Sequence, residues 1–331
     1  MKVVLDLDAL QAGGRISPEE AQRLRDLAAH DESAPSRGWV MANVAMIFGA
    51  LAVAVAVAML QPGPAVGGAL ALAALGAGAV LRRLGDESWT LLSHALAIGG
   101  SLGAGAAFLM AFPELKVATL IVGLFLAAVA LHFQDHVVAA FAPLAVGSWI
   151  GSGAGYWHAV YSVTISQPLV TVLVFAALAA GLFAWGERSP RGGGVIVTMA
   201  RVAFVILNMG FWVGSLWGDD FQRAGFTYDA GRQAIIPAAV FAWAWTAALL
   251  LFLWIGLGSR RRFISNTALT FAGVHFYTRV FETFGARPWV IVISGVLLVL
   301  LAFAFVRFDG WQRARRAAGR TATPDDFSSA R

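Results

Sequence analysis

From residue 39 to residue 306 the chain consists of hydrophobic runs separated by short polar interruptions. A run of about 20 apolar residues is long enough to cross the hydrocarbon core of a bilayer as an α-helix. The runs predict an all-α, polytopic transmembrane helical bundle of about ten spans. We place these spans near 39–60, 65–81, 90–112, 117–133, 137–156, 168–185, 195–217, 235–257, 263–281 and 289–306.

Composition favours the membrane class and excludes several kinds of site. Only 13% of the residues are charged and the mean hydropathy is +0.72, whereas soluble domains carry about 25% charged residues. The chain has no cysteine, which excludes disulfides, thiolate metal sites and cysteine nucleophiles. The net charge of +5 does not indicate a nucleic-acid partner, because the positive residues cluster at the ends of hydrophobic runs.

The polar segment 1–38 predicts a small cytoplasmic helical hairpin. Its second helix has a strong start signal, in which Ser17 is the N-cap, Pro18 is the first helical residue and Glu20 completes a capping box. The preferred interpretation is a hairpin that rests on the membrane domain, 39–308. The alternative is that the hairpin docks a protein partner.

The segment 309–331 is basic at its start and polar at its end. Trp311 and the arginines that follow it, Arg313, Arg315, Arg316 and Arg320, predict a cytoplasmic tail that contacts anionic lipid headgroups. We expect the last residues of this tail to be disordered.

The distribution of positive charge predicts the orientation of the chain. Of the 24 lysines and arginines, the side opposite the N-terminus holds Lys116, Arg223, Arg232 and Arg287, and the spans themselves hold Arg201 and Arg279. The others lie on the N-terminal side, so the positive-inside rule places both termini in the cytoplasm of a bacterial inner membrane.

Most connections between the runs are short and predict antiparallel neighbours. The longest one on the outer side covers residues 218–234 and carries Asp219 and Asp220, which we interpret as exposed carboxylates. Within the spans, Gly147, Gly151 and Gly155 in the fifth, and Gly99 and Gly103 in the third, have the four-residue spacing that favours close helix packing.

The ninth predicted span is the most polar. His275, Arg279 and Glu282 fall within about 60° of one another around a helix, and Asn266, Thr270 and Tyr277 form a second stripe on roughly the opposite face. Arg279 and Glu282, three residues apart, are expected to pair near the outer interface. The preferred interpretation is packing against neighbouring helices on both sides. The alternative is a proton- or solute-handling site that uses His275.

The seventh predicted span carries Arg201, Asn208 and Ser215 at seven-residue spacing, which places them near one face of a helix. We expect Arg201 to reach the cytoplasmic interface along its aliphatic stem. The preferred interpretation of the line is hydrogen bonding between helices, and the alternative is the edge of a solute pathway.

A second cluster lies at the end of the fourth span. His132, Asp135 and His136 would share one face if the helix continued through them, and two imidazoles with a carboxylate are a known zinc ligand set. Because polar residues are expected at any membrane boundary, we prefer ordinary interfacial solvation and predict no metal site.

Two stretches resemble a known group of proteins. They are Gly14-Arg-Ile-Ser-Pro-Glu-Glu-Ala21 and the later pattern of Asn266, Tyr277-Thr-Arg279-Val-Phe281, Phe284-Gly285 and Gly295. They are similar to a family of bacterial predicted membrane proteins described as a domain of unknown function. This resemblance implies a short N-terminal helical hairpin, a many-helix inner-membrane region and no catalytic residues to transfer.

We therefore expect an integral inner-membrane protein that is not an enzyme, with no cofactor and with a structural or interaction role. The alternative is a transporter or permease for a small solute, with the ninth and seventh spans lining the path. A membrane enzyme that uses His132, Asp135 and His136 is a more distant hypothesis. The candidate functional residues are Arg201, Asn208, Asn266, His275, Tyr277, Arg279 and Glu282.

Overall fold

The computed structural model describes residues 7–31, 49, 63–84, 89–157, 160–189, 192–219, 235–258, 262–285, 287–297, 299–300, 303 and 307. The predicted first span, most of the tenth span after residue 297 and the basic tail lie outside these residues. So do the boundaries between the three predicted domains. The described residues form two compact units, the first ending at Ala145 and the second beginning at Val146.

The described chain is helical apart from one two-stranded hairpin. In order, the elements are α1 (Leu7–Ala12), α2 (Pro18–Asp31), α3 (Pro64–Leu84), α4 (Thr90–Ala111), α5 (Ala118–Phe133), α6 (His136–Trp149), β1 (Ser152–Trp157), β2 (Val160–Ile165), α7 (Pro168–Arg188), α8 (Gly193–Trp217), α9 (Ala238–Gly258), α10 (Arg262–Phe284) and α11 (Pro288–Leu297).

Five of the described helices are long and apolar enough to cross a membrane. These are α3, α4, α7, α8 and α9, each of 21 to 25 residues. The helices α5, α6 and α11 are apolar but shorter, and α10 has 23 residues but is less apolar. These five helices are consistent with the predicted membrane class, whereas the full number of about ten spans stays a prediction.

The predicted fifth span is wrong in its second half. The helix α6 ends at Trp149, and residues 152–157 pair with residues 160–165 as an antiparallel hairpin instead of continuing the helix. The cause is local sequence: Gly151 adopts a left-handed backbone with φ of 77°, and β2 is rich in β-branched residues that favour strands. Gly151 and Gly155 therefore do not extend the helical packing face that begins at Gly147.

The interpretation of Asp219 as an exposed carboxylate is also wrong. Asp219 is 2% exposed, and its Oδ2 accepts a hydrogen bond of 2.8 Å from the backbone N–H of Leu169 in the first turn of α7. Its backbone pairs with Ile236 before α9. A carboxylate at a helix N-terminus satisfies an otherwise unpaired donor and complements the helix dipole. Asp220 lies outside the described residues.

The predicted start of α2 is confirmed. Glu20 N–H donates to Ser17 Oγ at 3.1 Å, and Ser17 N–H donates to the Glu20 carboxylate at 3.0 Å, which together form a capping box. Pro18 is the first residue of the helix, as expected. The hairpin as a separate cytoplasmic domain stays a prediction.

The core of the second unit is formed by α7, α8, α9 and α10. Phe175, Leu207, Phe241 and Trp245 are buried there, together with aliphatic residues from all four helices. Gly214 on α8 has no room for a side chain, because an added Cβ would lie 2.5 Å from the Phe241 ring. This close packing positions the polar residues described next.

Candidate functional site

Polar side chains connect α8, α9 and α10 of the second unit at several points. Near the start of α8 and α10, the Arg201 guanidinium lies 5.1 Å from the centre of the Phe263 ring. Near the ends of the same helices, Arg279 donates to the Ser215 carbonyl. The helices α8 and α10 therefore run parallel. The helix α9 lies between them in the sequence and packs against both. We call this set of contacts the α8–α10 polar ladder.

Asn208 forms the middle step of the ladder. Its side chain is fully buried, at 0% exposure. Its Nδ2 donates to the Phe204 carbonyl at 2.8 Å, and its Oδ1 accepts from the indole Nε1 of Trp245 on α9 at 3.2 Å. The Trp245 side chain is also 0% exposed. A buried indole N–H and a buried amide thus satisfy each other, as the low-dielectric interior requires.

His275 forms the next step and packs edge-on against Trp245, with 4.7 Å between ring centres. Its Nε2 lies 2.9 Å from Thr246 Oγ1, whose hydroxyl donates to the Ala242 carbonyl. Because that hydroxyl has one proton, the imidazole Nε2–H is the donor to Thr246. The opposite nitrogen, Nδ1, is buried and makes no hydrogen bond with the described residues.

Arg279 forms the last step. One amino group donates to the Ser215 carbonyl at 2.6 Å, and the other pairs with the Glu282 carboxylate at 2.8 Å. The predicted pairing of Arg279 with Glu282 is confirmed. The Arg279 Nε is buried and has no hydrogen-bond partner among the described residues. One residue before Arg279, Thr278 accepts a hydrogen bond of 3.2 Å from Trp212 Nε1, which adds a further link between α8 and α10.

The second predicted stripe of α10 does not pack as expected. Asn266 and Thr270 are exposed, and the Thr270 hydroxyl donates to the Asn266 carbonyl within its own helix. Tyr277 is half-buried and packs against Phe281, with 4.4 Å between ring centres. The structure therefore brings together Asn208, His275, Arg279 and Glu282, with Arg201 at the far end, and it leaves Asn266 and Tyr277 out of the ladder.

The predicted shared face of His132, Asp135 and His136 is wrong. The helix α5 ends at Phe133 because Gln134 adopts a left-handed backbone, and Asp135 begins the next helix. Asp135 Oδ1 accepts the backbone N–H groups of Val137 and Val138 at 2.8 and 3.0 Å, which makes it the N-cap of α6. His132 and His136 are exposed.

Asp135 instead pairs with a histidine from another helix. Its Oδ2 accepts a hydrogen bond of 2.8 Å from His94 Nδ1 on α4, and Asp135 is 5% exposed. Among the described residues, no group of three His, Cys, Asp or Glu side chains is arranged to hold a metal ion. The residues at this junction therefore link α4 to the start of α6.

Sequence reasoning missed His94, Trp245 and Thr246, and it did not assign Trp212 to a contact between helices. A usable signal existed for the tryptophans, because an indole N–H in a buried helix must find an acceptor. Trp245 and Thr246 interrupt an otherwise apolar run. No comparable signal pointed to His94, which lies 41 residues before its partner.

The ladder can hold helices together by hydrogen bonds, and it leaves two buried nitrogens without a partner among the described residues. In the hydroxyl–imidazole contact between Thr246 and His275, the hydroxyl donates its proton to the Ala242 carbonyl and not to the imidazole. Comparisons of the chain with protein-family models, with curated proteins and with solved structures gave no match. The resemblance to a bacterial membrane-protein family therefore stays a prediction.

Proposed function

We propose that this chain is an integral protein of the bacterial inner membrane, with about ten spans and both termini in the cytoplasm. Its proposed role is structural or interactive, without catalysis. The observation that supports this role best is the environment of Asn208. The residue is fully buried and both sides of its amide are bonded to the protein. A polar group used for packing has this character, whereas a group that lines a solute path must be reachable by water.

Thiol labelling tests the role, because the chain contains no cysteine. Ser215→Cys and Ala268→Cys introduce single thiols at two positions that are 0% exposed within the second unit. We expect neither thiol to react with a membrane-impermeant, hydrophilic maleimide in native membranes, and both to react after denaturation. Glu114→Cys, at an exposed position between α4 and α5, is the reactive control.

The runner-up function is transport of a small solute along α8 and α10. The observation that favours it is the pair of buried nitrogens, His275 Nδ1 and Arg279 Nε, that lack partners among the described residues. A solvated path would supply partners to both atoms. Labelling of Ser215→Cys in intact membranes at a rate close to that of the Glu114→Cys control would overturn the structural proposal in favour of transport.

The same cysteine-free background tests the proposed topology. Glu114→Cys lies on the predicted outer side and Ser189→Cys on the predicted cytoplasmic side, and both positions belong to short connections between helices. We expect the impermeant reagent to label Glu114→Cys in intact spheroplasts. We expect it to label Ser189→Cys only after the spheroplasts are lysed. The opposite result would invert the proposed orientation without affecting the assignment of the membrane class.

A further inference from the structure

An apolar groove runs between α3 and α5 in the first unit. On α3 it is lined by Leu72, Gly76 and Ala79, which are spaced four and three residues apart and so share one face of the helix. On α5 it is lined by Phe125, Val129 and His132 at the same spacing. The volume of the groove is about 450 Å³. Apart from His132, its lining residues are apolar.

One end of the groove is cationic. Arg82 follows Ala79 along α3, and its guanidinium lies 5.7 Å from the centre of the Phe133 ring, which also lines the groove. Arg83 is exposed beside it and lies near the same helical face as Leu72 and Gly76. Among the described residues Arg82 forms no ion pair.

The length from the apolar end of the groove to its cationic end suits one acyl chain of a phospholipid. Leu72 and Arg82 are ten residues apart, which is about 15 Å along a helix. This length matches one leaflet of a bilayer whose hydrocarbon core is about 30 Å thick. An extended acyl chain is thin enough to fit.

We propose that this groove is a binding site for one anionic phospholipid. An acyl chain lies against the apolar faces of α3 and α5, and the lipid phosphate lies at Arg82 and Arg83. Long arginine side chains carry their charge to the headgroup region while their stems cover apolar surface. In the proposed topology this end faces the cytoplasm, where anionic headgroups attract basic residues. The site is separate from the basic tail of the chain.

The headgroup contact is tested by native mass spectrometry of the full chain in detergent. The probes are phosphatidylglycerol and phosphatidylcholine with identical acyl chains. We expect the unmodified chain to retain phosphatidylglycerol preferentially, and Arg82→Gln with Arg83→Gln to weaken that retention about fivefold per arginine removed. Arg188→Gln, at an exposed position at the end of α7, is the control for loss of a positive charge. Equal retention in the double variant and in the control would overturn the proposal.

The acyl-chain contact is tested by filling the groove. Gly76 is exposed, and a Cβ there meets no described atom within 4 Å, so Gly76→Leu is expected to fold and to displace the chain. Gly181→Leu on α7 is the matched control, since Gly181 is also exposed and equally open. We expect the count of retained phosphatidylglycerol molecules to fall by about one in Gly76→Leu and to stay unchanged in Gly181→Leu.

Two results would overturn this part of the proposal. An unchanged lipid count in Gly76→Leu would mean that the retained lipids are annular and do not use the groove. A lower unfolding temperature in Gly76→Leu with no change in lipid count would mean that a protein segment, such as residues 39–60, covers the groove.

Discussion

The two units hold their helices together in different ways. In the first unit, α3 and α4 approach each other backbone to backbone. An added Cβ on Gly100 would lie 2.7 Å from the Ala71 carbonyl oxygen, and the Ser93 hydroxyl donates to the Gly78 carbonyl across the same contact. In the second unit, α8, α9 and α10 are linked by side chains, through Asn208, Trp245, His275 and Arg279.

The difference reflects two solutions to one physical problem. Lipid chains are as apolar as leucine, so burying apolar side chains gives little preference for helix contact over lipid contact. The α3–α4 contact gains dispersion energy from small residues that allow close approach. The α8–α10 polar ladder gains hydrogen bonds that have no alternative partner in hydrocarbon. The first contact should therefore be sensitive to added volume, and the second to the loss of a polar atom.

Adding one methyl group at Gly100 should have the largest effect. In Gly100→Ala the new Cβ meets backbone atoms of Ala71 and Leu75 at 2.7 Å, and backbone cannot move aside as a flexible side chain can. We expect a loss of about 2–3 kcal/mol in the free energy of unfolding. Reversible unfolding in mixed micelles of SDS and a mild detergent measures it.

The neighbouring residue supplies the control. Gly99 is exposed on the same helix, and its added Cβ meets no described atom within 4 Å. Gly99→Ala should stabilise the chain by about 0.5–1 kcal/mol through helix propensity alone. Equal effects of the two substitutions would refute the close backbone contact between α3 and α4.

Removing the amide of Asn208 should have the next largest effect. Asn208→Leu keeps the approximate volume but leaves the buried Trp245 Nε1 without its acceptor, which should cost about 1–2 kcal/mol. Asn266→Leu, at an exposed position on α10, should change stability by less than about 0.5 kcal/mol. The same unfolding assay measures both. If Asn266→Leu lowers the free energy of unfolding more than Asn208→Leu does, the assignment of Asn208 to the ladder is wrong.

Asp135→Ala should have an intermediate effect within the first unit. The substitution removes the N-cap of α6 and the acceptor of His94, which should cost about 1 kcal/mol. His132→Ala is the control, because His132 is exposed. Metal analysis of the purified protein is the second readout, and we expect no bound zinc in either variant or in the unmodified chain. Zinc that depends on His132 would restore the metal-site hypothesis.

Helix positions were predictable from sequence because long apolar runs have few alternatives in a membrane. All of the described predicted spans from 65–81 to 263–281 contain a helix. The fifth failed where glycines permitted a turn and β-branched residues favoured a strand, and a hydrophobic run alone does not separate these outcomes. The prediction that His132 and Asp135 share one helical face was wrong for a related reason, because it assumed that the helix continued through Gln134.

Partner choice was harder to predict than helix position. The angular position of His275 and Arg279 on α10 was correct, and so was the pairing of Arg279 with Glu282. Which stripe of α10 meets other helices depends on residues far away in sequence, such as Trp245 and Ser215. Spacing along one helix carries no information about these neighbours. For the same reason the burial of Asp219 could not be read from its place in a polar connection.

The smallest expected effect is at the outer end of the ladder. Glu282→Gln removes one partner of an ion pair whose two side chains are 35% and 34% exposed, so solvent screens the interaction and the loss should be a few tenths of a kcal/mol. This loss should shrink further as salt is raised. Arg279→Gln removes in addition the charged donor to the Ser215 carbonyl, so it should lower the free energy of unfolding more than Glu282→Gln does. The difference between the two losses should depend little on salt. If the two variants lose equal stability at every salt concentration, the link from Arg279 to α8 contributes nothing, and the ladder ends at Trp212 and Thr278.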